Sequence, residues 1–209
     1  MIDFEDELQA RIQHMMDFPD EPSEEGHKTI FHSIKHTSLP PEEKSARRLA
    51  AEASTFIGAG TETTGRVLAV TAYHLIADPV KMKPLIDELK TVMPTPTSEA
   101  TLPQLEKLPY LTAVAYEGLR IANGVSSRMP RIATEETLHF TADMGNGKIK
   151  EWKIPPGTSI MTSIYLLHHD EYMFPDSYKY IPDRWIDNKP LRQHFYAFAR
   201  GDRGCLGQK

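Results

Sequence analysis

The sequence predicts a mainly α-helical fold with a small antiparallel β-sheet. Three observations carry that expectation. A helical pattern runs without interruption from Pro41 to about Ala77. Two further helical stretches follow before residue 122. Beyond them, short alternating segments between 137 and 165 read as strands.

Each element has its own local reason. The opening "MIDFEDELQARIQ" is amphipathic, with Ile2, Leu8 and Ile12 on or near one face. Residues 17–28, "DFPDEPSEEGHK", are acidic and broken by proline, which predicts a loop. Pro41 suits the first turn of a helix, and Glu42 and Glu43 suit its N-terminal dipole. Asp78-Pro79 ends that helix, which at 1.5 Å per residue makes a rod of roughly 50 Å. A second helix is predicted over about Pro79–Val92. A linker, "MPTPTSEATLP", and a short turn around 102–107 lead to a third, over about Pro109–Ala122. "TLHFTAD" and "KIKEWKIPPGTSIMTSIY" alternate like strands, with a turn at Pro156-Gly157. From Phe174 to Tyr196 the chain is aromatic, proline-containing and irregular. A stretch of that kind inside a domain is expected to serve a site.

Composition narrows the function classes. The 209 residues are enough for one large domain or two small ones. A net charge of −5 gives no support for nucleic acid as a partner. A single cysteine excludes an intramolecular disulfide and points to a reducing compartment. No apolar run approaches the roughly 18–20 residues that span a bilayer. The acidic N-terminus does not suit a secretory or transit signal. The chain reads as beginning within a helix and stopping just past its cysteine, so both ends look cut.

That cysteine lies in "FARGDRGCLGQK". Phe198, Gly201, Arg203, Cys205 and Gly207 fit F-x-x-G-x-R-x-C-x-G at every fixed position. At ordinary residue frequencies the match arises by chance in on the order of a few per hundred thousand chains of this length. An isolated cysteine is more often an incidental core residue; the spacing argues otherwise. Three other stretches stand out. "AGTETT" puts Glu62 and Thr63 inside the long helix, among Gly58, Gly60 and Gly65, where the alternative is close helix packing. A threonine there can donate its hydroxyl to the carbonyl four residues earlier and distort the helix. "YEGLR" spaces Glu117 and Arg120 three apart on one helix face, which on its own is usually a surface ion pair. "SSRMPRIA" follows that helix and enters the sheet.

Taken together and in this order, the four stretches resemble the cytochrome P-450 family, the haem-thiolate monooxygenases. The resemblance implies the C-terminal half of that fold, truncated at both ends, as one partial domain over 1–209. Within it, 1–40 is a helix and loop, 41–77 the long oxygen-activation helix, 78–136 helical, 137–165 β-rich, and 166–209 the meander and cysteine loop. It implies haem b as cofactor with Cys205 as the iron ligand. Backbone N–H groups after the cysteine would face the sulfur, Phe198 would shield it, and Gly201 and Gly207 would let the backbone pass close to the porphyrin. Arg203 and Arg131 would pair with propionates, Arg128 being the weaker candidate. Glu62 and Thr63 are implied as a proton relay. Glu117, Arg120 and Arg184 of "YIPDRW" would form a buried network. Residues 125–129 would line substrate. His168 and His169 are read as structural.

The implied partners are a flavoprotein reductase carrying electrons from NADPH and an apolar small-molecule substrate. The implied location of a full-length eukaryotic parent is the cytosolic face of the endoplasmic reticulum membrane. "FIGAGTETTG" and "LPPEEKSARRLAAEA" resemble filamentous-fungal microsomal members of secondary metabolism. Two function classes stand open: a monooxygenase, or a non-catalytic truncated chain that keeps the motifs without a complete pocket. A member that rearranges peroxides without a reductase is a narrower option, and the intact Glu62–Thr63 pair weighs against it.

Overall fold

The computed structural model describes residues 4–17 and 30–208. Eight α-helices and four strands are present among them. The chain divides into two compact units, Met1–Gly65 and Arg66–Lys209.

The first unit holds α1 (Phe4–Asp17), α2 (Ile30–Lys35) and the start of α3 (Ala46–Ala77). Ile12 of α1 is buried against Ala46, Leu49, Ala50 and Ala53 of α3, with Phe31 and Ile34 of α2 packed on the cluster. The predicted face of α1 therefore includes Ile12, whereas Ile2 and most of the predicted acidic loop lie outside the described residues. The long helix does not start at Pro41. Residues Pro41–Lys44 form a 3-10 turn, and Ser45 is extended at φ −64°, ψ 144°. Ser45 accepts the Arg48 N–H on its hydroxyl at 3.4 Å, so serine rather than proline opens the helix. From there α3 runs 32 residues, about 48 Å, and its residues from Arg66 onward belong to the second unit.

In the second unit, Asp78 caps α4 (Pro79–Leu89) by accepting the Val80 N–H. This helix ends before the predicted Val92. Thr91 donates its hydroxyl to the Glu88 carbonyl, and the Thr91 and Val92 N–H groups make tight three-residue bonds instead of helical ones. A short α5 (Leu102–Leu105) leads to α6 (Pro109–Ala122), whose bounds agree with the sequence expectation. Pro109 starts it, and Asn123 ends it in the left-handed region at φ 50°.

The sheet is two separate antiparallel pairs. β1 (Met129–Ile132) pairs with β4 (Ser159–Thr162), with Arg131 opposite Ile160. β2 (Leu138–Asp143) pairs with β3 (Ile149–Ile154), with Phe140 opposite Trp152. The Pro156-Gly157 turn is present, and Gly157 takes φ +80°. The predicted strand running on toward Tyr165 stops at Thr162, because α7 (Ile164–His168) begins there. The rest is irregular apart from a 3-10 turn at Pro182–Trp185, α8 (Lys189–Arg192), and a 3-10 turn at Leu206–Gln208.

Two clusters form this unit's core. Leu75, Leu85, Tyr110, Val114 and Tyr180 make one. Ala113, Phe174, Trp185 and Leu191 make the other, so the irregular segment is fastened onto α6 by its aromatic residues. Among the described residues no helix is long and apolar enough to cross a membrane.

Candidate functional site

The structure brings Glu117, Arg120 and Arg184 together. α6 is fixed at its start by Glu88, whose two oxygens accept the N–H groups of Tyr110 and Leu111 at 2.9 and 2.7 Å. Two turns on, Glu117 and Arg120 share the buried face, both fully inaccessible to solvent. The pair is bidentate: Arg120 Nε donates to Glu117 Oε2 at 2.9 Å and Nη2 to Oε1 at 2.8 Å. Arg184 Nε reaches Oε1 at 3.2 Å. Glu117 also accepts the Ile181 N–H at 2.9 Å and the Trp185 indole N–H at 2.8 Å. Burial by itself would raise the Glu117 carboxyl, but the hydrogen bonds and charge of Arg120, with Ile181 and Trp185, hold it below its ordinary value.

Arg120 is equally saturated. Its remaining donors go to the carbonyls of His168 and Ser177, both at 2.7 Å, and Lys179 at 3.1 Å. Every N–H of this guanidinium therefore has an acceptor. Its face lies 5.2 Å from the Phe174 ring. Arg184 completes its own set on the Pro175 and Asp176 carbonyls. One acid and two guanidiniums thus gather six residues' worth of backbone between 168 and 184 against α6.

The chain then runs into the cysteine loop. Phe195 sits among Tyr116, Trp185, His168 and Phe198, its ring 4.7 Å from Tyr116 and 6.2 Å from Phe198. Tyr196 donates its N–H to His168 Nε2 at 3.1 Å. Ala199 turns the chain at φ 56°, donating to the Tyr196 carbonyl, and Gly201 turns it again at φ 77°. Gly204 donates to the Gly201 carbonyl and Cys205 to the Phe198 carbonyl, both at 2.8 Å. Cys205 itself is a free thiol exposed to solvent. A Cβ on Gly207 would lie 3.8 Å from its sulfur, so glycine there keeps one side of the thiol clear. Phe198 and Phe195 also border an apolar cavity of about 370 Å³ against α5 and α6.

The other predicted residues of the second unit are not part of this network. Arg203 is exposed in the turn before Cys205. Arg131 is exposed on β1, donating to the Pro130 carbonyl at 3.0 Å, and Arg128 is exposed before that strand. Val125 is exposed as well. In the first unit, Thr63 is half-buried on α3 and donates its hydroxyl to the Ala59 carbonyl at 2.7 Å; Glu62 beside it is exposed. No atom lies within 4 Å of a Cβ placed at Gly58, Gly60 or Gly65, so among the described residues close packing does not explain them.

Two residues that sequence reasoning passed over, Trp185 and Tyr180, belong to the site, and His168, read as structural, lies beside them. Trp185 donates to the central carboxylate, and its place beside Arg184 was the available signal. Tyr180 donates its hydroxyl to the Val114 carbonyl at 2.9 Å. Burial, then the charge of Arg120, pushes His168 down to about 4, so this wholly buried ring is neutral.

The donor chemistry fits a haem. Among the described residues no group of three or more His, Cys, Asp or Glu could hold a metal ion. A single soft thiol on an exposed loop suits a metal that arrives with its other ligands in a macrocycle.

The comparisons agree with that geometry. The family model for cytochrome P450 matches residues 3–209. The chain is 46% identical over 186 residues to the cytochrome P450 monooxygenase astB of Talaromyces wortmannii, covering 88% of this chain and 37% of that protein. It is 41% identical over 180 residues to the cytochrome P450 monooxygenase tpcC of Cochliobolus heterostrophus, covering 86% and 34%. The crystal structure of a cytochrome P450 (CYP102L1) superposes with a TM-score of 0.72 at 19% identity, over 96% of this chain and 44% of that one. The chain thus spans little more than a third of the length of these two fungal relatives. Matched along nearly its whole length, and carrying a buried glutamate–arginine network behind an exposed cysteine loop, the chain belongs to the cytochrome P450 family.

Proposed function

We propose that the chain provides the thiolate side of a haem-dependent monooxygenase that inserts one atom of dioxygen into an apolar organic substrate. The observation that carries this is Cys205, a lone exposed thiol on a loop whose backbone is tied at Phe198. Haem, when bound, supplies a redox-active iron able to activate dioxygen with two electrons, which we assign to NADPH through a flavoprotein reductase. Cys205 holds the iron as a thiolate. Gly201 and Gly207 keep the loop's approach open, Phe198 flanks it, and Arg203 and Arg131 offer their free guanidinium edges to carboxylates. The Thr63 proton is committed to the Ala59 carbonyl, which leaves the oxygen able to accept a proton donor, and Glu62 is an adjacent acid in contact with water. These two serve proton delivery, residues 125–129 line substrate, and the whole protein works at the cytosolic face of the endoplasmic reticulum membrane. Names of fungal relatives as monooxygenases support the reaction class.

The test is Cys205→Ser in the haem-loaded protein. It should abolish the long-wavelength Soret band of the reduced carbon-monoxide complex, and survival of that band overturns the assignment. Exposure of Phe56, Ile57 and Cys205 favours a second reading for residues 1–209 alone, motifs without a closed pocket. Oxygenated product above a free-haem control, with reductase supplied, would refute it.

A further inference from the structure

We infer that His168 is a positioning residue that transmits the buried Glu117–Arg120–Arg184 network to the cysteine loop through an uncharged Nε2 acceptor. Its two ends face different partners. The His168 carbonyl accepts from Arg120 Nη1 at 2.7 Å, which places the residue at the end of α7. The ring's Nε2 accepts the Tyr196 N–H at 3.1 Å. A backbone N–H can only donate, so Nε2 carries the lone pair and the proton sits on Nδ1.

From Tyr196 the bonds continue without a gap. The Tyr196 carbonyl accepts from Ala199 at 2.9 Å and shapes the left-handed turn there, and the next carbonyl back, that of Phe198, accepts the Cys205 N–H at 2.8 Å. Among the described residues, His168 is the side chain that meets the first link of this chain and, through its own backbone, the ion network. The ring is held for that task by Phe195, stacked at 5.8 Å, and by Phe174, edge-on at 6.1 Å. Its Nδ1 is buried, and a backbone hydrogen bond with Arg120 favours a proton on the ring. The charged and titratable groups around it, Arg120, His169 and Glu117, include a cation that disfavours a second positive charge on the ring.

The inference concerns the shape of the loop and stands apart from what Cys205 binds. The experiment therefore reads the chain without added haem. His168→Phe keeps an aromatic ring and removes the acceptor; His168→Gln places Oε1 where Nε2 was. Amide hydrogen exchange of Tyr196, Ala199 and Cys205 should accelerate about tenfold in His168→Phe, the equilibrium effect of one lost buried hydrogen bond. Amides of α6 should be unchanged, and His168→Gln should keep most of the protection. Wild-type exchange in His168→Phe, or equal loss in both variants, overturns the proposal. A measurement on the unaltered protein covers the case in which a variant fails to fold. Nitrogen-15 spectroscopy should find the His168 proton on Nδ1, and a proton on Nε2 refutes the role directly. Failure of the Cys205→Ser band test would leave each of these readouts in force.

Discussion

Replacing Glu117 by glutamine removes one charge and almost no volume, yet it should be among the most damaging changes in this chain. The carboxylate accepts five N–H bonds, from Arg120 Nε and Nη2, Arg184 Nε, Ile181 and Trp185 Nε1. An amide offers one acceptor oxygen and an NH₂ group that can only donate. If the amide nitrogen replaces Oε2, it faces the donors of Arg120 and Trp185; if it replaces Oε1, it faces three. At least two N–H groups therefore lose their acceptor in either orientation, and hydrogen bonds to charged groups are worth about 1.5–3 kcal/mol each. Arg120 is also left buried without a counter-charge, and breaking a buried pair from one side typically costs about 3–5 kcal/mol. The two routes agree on about 4 kcal/mol, a large share of the roughly 5–15 kcal/mol that stabilises a domain. With a urea slope of about 2 kcal/mol/M, the unfolding midpoint should fall by about 2 M. Trp185, hydrogen-bonded to the altered side chain, reports the transition by fluorescence. A midpoint within about 0.5 M of wild type would refute the energetic weight given to this network.

Other perturbations probe single contacts. Because His168 is neutral in the fold with its pKa lowered to about 4 from 6.5, the unfolded chain binds the proton first as pH falls. Stability from this residue is intact above pH 6.5 and should decline by about 3 kcal/mol between pH 6.5 and 4; a His168→Gln protein should lack that component, and an identical pH profile would count against it. Gly118→Ala puts a Cβ 2.1 Å from Thr71 Oγ1, so it should destabilise by about 1–3 kcal/mol, and adding Thr71→Ala should recover part of the loss. Strict additivity of the pair in thermal unfolding would argue that no clash occurs. In the haem-loaded whole protein, Thr63→Ala should leave the absorption spectrum intact while lowering product formed per NADPH consumed; an unchanged ratio removes Thr63 from proton delivery.

What the sequence determined by itself was what short spacing encodes. The bounds of α6 were readable because Pro109 and the residue after Ala122 punctuate it locally, and Glu117 and Arg120 because three residues on a helix share a face. The turn that carries Cys205 was readable because its glycines must satisfy a backbone that turns back on itself, seen here in Gly201 at positive φ and in the Phe198–Cys205 bond. The start of α3 was misplaced because Pro41 and Ser45 are both good helix openers, and only the extended Ser45 backbone chose between them. The tertiary structure alone decided the rest. Arg120 takes its acceptors from carbonyls 48 to 59 positions away, and Trp185 meets Glu117 across 68. Carbonyl acceptors carry no side-chain signature, so no residue pattern announces which of them a buried guanidinium will collect. His168 shows the same limit. Its neighbours in sequence, Leu167 and His169, do not distinguish a surface histidine from a buried one. Its neutral state exists because folding buries the ring beside the charge of Arg120, while Phe195 stacks on it and a backbone N–H from 28 residues downstream meets its nitrogen.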